Sequence, residues 1–135
     1  RMHIFFDVDQ TLICPDGTLR PGVKELFFRL KSDGHVLYVW SGNGIRWEVL
    51  QRYGLEGFVA DCFFKPMYNF LEAIARAGLP VVPDVCVDDA SEVVAAFGGI
   101  VVTPYGLPDP SDREMERVYQ ELTRYSASLK PDLSG

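Results

Sequence analysis

Short apolar runs alternate along this chain with segments of helical period, and glycines close most of the helical segments. No other feature restricts the fold so much. Parallel strands need long crossovers, and a helix after each strand supplies them. Strands are expected over residues 3–7, 35–40, 59–64, 82–87 and 99–102. Four of the runs are largely apolar and rich in Val, Ile or aromatics, as strands covered on both faces must be; Asp61 interrupts the third. Between them, Val23, Leu26, Phe27 and Leu30 recur at helical spacing before Gly34. Ile45, Val49, Leu50 and Tyr53 do so before Gly54, and Phe70, Leu71, Ile74 and Ala75 before Gly78. A short helix runs from Ser91 to Gly98. The last helix opens on "SDRE", a capping box of Ser111 and Glu114, and carries the stripe Met115, Val118, Tyr119 and Leu122. Pro15-Asp16-Gly17 signals a turn, so residues 13–19 are expected to form a small flap. The expectation is an α/β fold: a doubly wound parallel sheet of about five strands, order 3-2-1-4-5. One domain should cover 1–127 with no cap domain, leaving a flexible tail over 128–135.

Composition narrows the class. A chain of 135 residues can bury one core without disulfides. Its net charge of −6 disfavours a nucleic-acid partner held on a basic surface. No run approaches the ~20 apolar residues that span a bilayer, and no signal peptide opens the chain, so no membrane partner is expected. The three cysteines (Cys14, Cys62, Cys86) form no CxxC and cannot all pair, which fits a reducing, cytoplasmic setting.

Ligands of open parallel sheets bind outside the carboxyl ends of the strands, where strand order reverses. Along that rim the sequence sets Asp7 and Asp9, then Ser41, then Lys65, then Asp88 and Asp89. If the first and fourth strands are neighbours, Asp7, Asp9, Asp88 and Asp89 form one acidic cluster. Close carboxylates do not all stay ionised without a cation, and oxygen-only ligands suit a hard ion such as Mg²⁺. Ser41-Gly42-Asn43 stands at a strand-to-helix junction that attracts an anion, and Lys65 adds a positive charge. A metal beside an anion cradle describes a site for a phosphate ester. His3 and His35 fall at the opposite rim and read as structural. Trp40 reads as core, and Trp47 as a candidate lining of the mouth.

These residues resemble the haloacid dehalogenase superfamily of phosphohydrolases. The matching motifs come in order: "DVDQT" from Asp7 to Thr11, "SGN" from Ser41, "KP" at Lys65 and "DD" at Asp88. The stretch "RPGVKELFFRLKSDGHVLYVWSGN" also resembles the family's first helix and second strand. Gln10 departs from the Gly, Asn or hydrophobic residue more usual at its position. The resemblance implies that Asp7 is the nucleophile and forms an aspartyl-phosphate, while Asp9 is the general acid and then the base. It implies that Asp7, the Asp9 carbonyl and Asp88 hold Mg²⁺ with Asp89 in support. Ser41, the Gly42 amide and Lys65 would bind phosphoryl oxygens, and Thr11 would orient the loop. The gaps between motifs leave no room for a cap. The expected substrate is thus a sugar phosphate, another metabolite or a phosphoprotein, with a homo-oligomer as one way to cover an open site. Two other classes share these features. A phosphorelay receiver would carry its phosphoacceptor Asp on the third strand, which here ends in Lys65. A non-catalytic interaction domain would not need Asp7, Asp9, Lys65 and Asp88 intact.

Overall fold

Alternation of side chains along the central strands sorts the interior into two cores. The computed structural model describes residues 1–129, and the last six residues of the expected tail lie outside it. Strands β1 (His3–Phe6), β2 (Val36–Ser41), β3 (Val59–Phe64), β4 (Val85–Asp88) and β5 (Gly99–Val101) form one sheet. Every pairing is parallel, in the order β3-β2-β1-β4-β5. Ile4 and Phe6, Leu37 and Val39, and Val85 and Val87 face one side; Phe5, Trp40 and Cys86 face the other. The first face receives α1 (Val23–Ser32), α2 (Trp47–Arg52) and α5 (Glu114–Leu129). The second, smaller core is closed by Ile74 of α3 (Phe70–Ala77) and Val93 of α4 (Ser91–Phe97). This is the expected doubly wound sheet, and the segments between its strands hold no inserted cap domain.

The stripe on α1 is buried as its spacing requires: Val23, Leu26, Phe27 and Leu30 are each at most 2% exposed. Each such side chain contributes about 1.5–3 kcal/mol on leaving water. Met115, Val118 and Leu122 are likewise buried under α5, with Tyr119 packed at their edge.

Several boundaries differ from the sequence reading. The fourth strand starts at Val85, not residue 82, because Pro83 interrupts the run and leaves Val82 exposed. Helix α2 starts at Trp47, so Ile45 is exposed in the preceding loop and does not join the stripe. On α3 the buried residue is Ile74, while Leu71 faces solvent. No Ser111–Glu114 capping box forms. Asp112 Oδ1 accepts the Glu114 amide at 3.1 Å, and the Glu114 carboxylate instead takes the Thr103 amide and the Arg117 guanidinium. Helix α5 runs through Leu129, past the expected limit at 127.

Residues 13–19 do form a flap, closed by an antiparallel bridge between Ile13 and Leu19. Immediately after it, Arg20 is 1% exposed and makes a two-point ion pair with Asp112 at 2.9 and 3.0 Å. That pair ties the flap to the segment entering α5. Trp40 is core, as read, though its buried indole N–H has no acceptor. Among the described residues no helix is long and apolar enough to cross a membrane.

Candidate active site at the carboxyl edge of the sheet

The strand ladders continue one residue past the strands and so set the polar side chains. The Asp7 amide donates to the Val87 carbonyl at 3.0 Å, which brings Asp7 beside Asp88, the last residue of β4. The Lys65 amide donates to the Ser41 carbonyl at 2.9 Å and sets Lys65 beside the end of β2. After Asp7 the chain wraps around the Val8 carbonyl, which accepts the amides of Thr11, Leu12 and Ile13. That turn brings the Thr11 hydroxyl to Asp7 Oδ2, to which it donates at 3.1 Å.

Lys65 is the centre of charge. Its Nζ donates to Asp7 Oδ1 at 3.0 Å and to Asp88 Oδ2 at 3.1 Å. Asp7 and Asp88 are 5% and 0% exposed. Asp89 completes a triad in which one carboxylate oxygen from each residue lies within 4.8 Å of the others. The crowding has an electrostatic signature. Burial, and then the charge of Asp88, push the Asp7 carboxyl up to about 7 although Lys65 pulls it back. Burial also raises Asp88, against Lys65 and the Ala90 amide. Burial opposes the charge on Lys65, but Asp7 and Asp88 outweigh it and raise its pKa. Three hard oxygen donors, held together at such cost, fit a divalent cation of the Mg²⁺ or Ca²⁺ kind.

Asp9 stands apart from this triad, contrary to the single acidic cluster read from the sequence. Its Oδ2 accepts Arg46 Nη1 and Asn43 Nδ2, each at 2.7 Å, and lies 3.4 Å from Ser41 Oγ. The reason is local. After β1 the chain leaves extended geometry, so residues 7 and 9 no longer share a side. Burial resists ionisation of Asp9, but the bonds from Arg46 and Asn43, with the Arg46 charge, hold its carboxyl below the ordinary value. Arg46 was not among the residues singled out from the sequence. A stripe starting at Ile45 assigns it to a helix, whereas it lies in the loop before α2, 17% exposed at its side chain.

Ser41 is 1% exposed, and its Oγ accepts the Asn43 amide at 3.0 Å and Arg46 Nη1 at 3.3 Å. The expected helix start directly after it is absent, since α2 has six residues and begins at Trp47. Gly42 lies against Met67, whose Sδ would sit 2.5 Å from a Cβ placed there. Trp47, expected near the mouth, packs against the larger core. Gln10 has φ 64°, a left-handed conformation that favours Gly or Asn. Cys62 and Cys86 are buried thiols inside strands, and burial pushes Cys62 up to about 12. His3 and His35 lie at the other ends of the strands, where the Met2 amide donates to His35 Nδ1 at 3.0 Å.

No family model and no curated protein matches the chain in sequence. Solved structures do match its fold. An uncharacterized protein from Listeria monocytogenes serotype 4b aligns with TM-score 0.62 and 15% identity, over 94% of this chain and 99% of that one. The D,D-heptose 1,7-bisphosphate phosphatase from Burkholderia thailandensis aligns with TM-score 0.57 and 16% identity, over 91% and 99%. At these identities the likeness is one of fold: a phosphatase is among the structures that share this five-stranded architecture.

Proposed function

We propose that this chain is a divalent-metal-dependent phosphomonoesterase of the haloacid dehalogenase type. The observation that carries the reading is the Lys65 ammonium bridging Asp7 and Asp88 at 3.0 and 3.1 Å, with Asp89 alongside, where strand order reverses between β1 and β4. An acidic triad with two buried members, one lysine and a nearby buried serine suits a phosphate ester and its metal ion better than it suits a packing role. The phosphatase among the fold's relatives supports the same class of reaction.

Asp7, Asp88 and Asp89 would hold the ion, with the Asp9 carbonyl as a further ligand, and Mg²⁺ is the ion we propose. Such an ion neutralises the carboxylates and the phosphoryl oxygens, so that two anions can meet. Asp7 is preorganised as the nucleophile, because Thr11 and Lys65 fix its two oxygens. One of these oxygens attacks phosphorus and the bond to the leaving oxygen breaks. Asp9, held ionised by Arg46 before substrate binds, must first take up a proton from solvent, and gives that proton to the leaving oxygen. Asp9 then takes a proton from water as the water attacks the aspartyl-phosphate, and inorganic phosphate leaves with Asp7 regenerated. Ser41, the Gly42 amide and Lys65 would hold the remaining phosphoryl oxygens. With Lys65 rather than an acid at the end of β3, this arrangement favours a hydrolase over a phosphorelay receiver.

A site without a cap derives little binding energy from a compact substrate. Either a second copy covers it while it acts on a small sugar phosphate, or a single copy acts on a phosphate borne by a larger molecule such as a protein. A phosphate-release screen over sugar phosphates, other metabolites and phosphopeptides tests the reading, with Mg²⁺ or with EDTA. Asp7→Asn is the control. Turnover should require both Mg²⁺ and Asp7, while Asp7→Asn stays folded. Release that persists in Asp7→Asn, or that survives exhaustive chelation, refutes it.

A further inference from the structure

The anion cradle at the end of β2 has no helix N-terminus behind it, since α2 begins six residues after Ser41. The positive charge at that place comes from a side chain instead. Arg46 Nη1 lies 3.3 Å from Ser41 Oγ, the hydroxyl assigned above to the phosphoryl group. An oxygen hydrogen-bonded to Ser41 at about 2.8 Å would therefore be no more than about 6 Å from Nη1. A change of side-chain rotamer covers that distance without backbone movement. Besides its contact with Ser41, the Arg46 guanidinium is held by two acids. Nη1 bonds Asp9 and Nε bonds Glu48 at 3.1 Å, while Nη2 makes no hydrogen bond among the described residues. A planar guanidinium with donors to spare, beside an oxyanion site, is suited to bind phosphoryl oxygens at two points.

We propose that Arg46 is a further phosphoryl-binding residue that exchanges partners, leaving Asp9 for the substrate phosphate as the ester enters. The inference rests on the phosphatase reading and adds to it a residue outside the four motifs. The charges near the site explain why the exchange is favourable. Among the described residues, the cationic side chains hydrogen-bonded to the acids Asp7, Asp9, Asp88 and Asp89 are Lys65, on Asp7 and Asp88, and Arg46, on Asp9. With a cation held by Asp7, Asp88 and Asp89, the Lys65 ammonium would no longer be needed between Asp7 and Asp88 and could turn to the phosphate. A phosphate dianion then offers Arg46 more charge than the single carboxylate of Asp9. Once Arg46 has left, the Asp9 side chain keeps only Asn43 and Ser41, and is free to turn toward the leaving oxygen.

Binding of inorganic phosphate in the presence of Mg²⁺, measured by calorimetry, tests this without turnover. Arg46→Gln should weaken phosphate about ten- to a hundredfold, the usual effect of losing a charge-assisted contact, and Arg46→Lys should restore part of it. Asp9→Ala removes the competitor, so it should tighten phosphate binding in the Arg46 protein and leave it unchanged in Arg46→Gln. A residue that only positions Asp9 would give neither result. Melting curves confirm that each variant is folded, and the Arg46→Lys rescue answers the question even if Arg46→Gln is unstable. Equal affinity in wild type and folded Arg46→Gln, or no recovery in Arg46→Lys, overturns the role of Arg46 while leaving the phosphatase reading intact. A wild type that binds no phosphate with Mg²⁺ present overturns both.

Discussion

Lys65→Met isolates the charge problem at this site. Methionine keeps most of the side-chain volume and removes the ammonium that bridges Asp7 and Asp88. The side chains of Lys65, Asp7 and Asp88 are only 12%, 7% and 0% exposed, so water supplies little screening. Breaking a buried ion pair by removing one partner costs about 3–5 kcal/mol, because the other charge stays buried. In a domain of this size that lowers the melting temperature by roughly 10–20 °C. The carboxylates can lessen the loss by binding a proton, and pH therefore sets its size. The folded Asp7 pKa of about 7 lies above its ordinary 3.8. Its protonated form is thus the one folding favours, and that stability is present at low pH and lost as pH rises through about 7. The gap between Lys65→Met and wild type should be small at pH 5, where Asp7 is protonated in both, and largest near pH 8.

Scanning calorimetry in EDTA at the two pH values measures this gap, and a second pair of scans adds Mg²⁺. An ion present at a hundred times its Kd stabilises by about 2.7 kcal/mol. In the wild type that ion must displace the Lys65 ammonium, whereas in Lys65→Met it meets bare carboxylates. The variant should therefore show the larger Mg²⁺-induced rise in melting temperature. If metal-free Lys65→Met melts within about 2 °C of wild type at pH 8, Lys65 is not the counter-charge of the triad, and the electrostatic account fails.

Three further outcomes follow from the same structure. Asp7→Asn should raise the melting temperature of the metal-free protein above pH 7, since it removes a raised carboxylate; a lower value in EDTA contradicts the repulsion argued for Asp7 and Asp88. Asp112→Asn should cost about 3 kcal/mol in urea unfolding by leaving the Arg20 guanidinium buried without its carboxylate, and a loss below about 1 kcal/mol would show that the pair is not structural. Gly99→Ala should disrupt the edge pairing of β5, because at φ 133° its Cβ would fall 1.9 Å from the Cys86 carbonyl oxygen; unchanged stability would mean that β5 shifts freely.

Strand order and helix placement were legible because each rests on burial. Residues such as Phe27, Val87 and Val118 must leave water, and their spacing states which face does so. Where the reading slipped, burial was not the deciding force. Ile45 and Leu71 fit a helical stripe by spacing, yet both face solvent, because spacing tells which residues share a face and not whether that face is covered. The Ser111–Glu114 box satisfied the local pattern for a cap. A long-range bond between Arg20 and Asp112 holds the chain there, and Asp112 receives the first helical amide instead. Ninety-two positions separate those partners, beyond the reach of any local pattern.

The site divides along the same line. Asp7, Lys65, Asp88 and Ser41 were legible because a parallel sheet sets the ends of its strands on one rim, whatever the loops do. Asp9 sits two residues past β1, where the direction of its side chain depends on the turn around the Val8 carbonyl and on Arg46. Nothing in "DVDQT" states that direction. Alternation in an extended chain sets residues 7 and 9 side by side, and the turn separates them. Under the phosphatase reading proposed above, the separation would have a chemical use that side-by-side carboxylates lack. Asp7 shares Lys65 with Asp88 and is poised for a metal ion, while Asp9 is paired with a cation of its own and stays out of the triad. A carboxylate inside the triad would be occupied by the metal and unable to serve a leaving oxygen. One held outside it, by a contact that an incoming phosphate could take over, would stay available for that role.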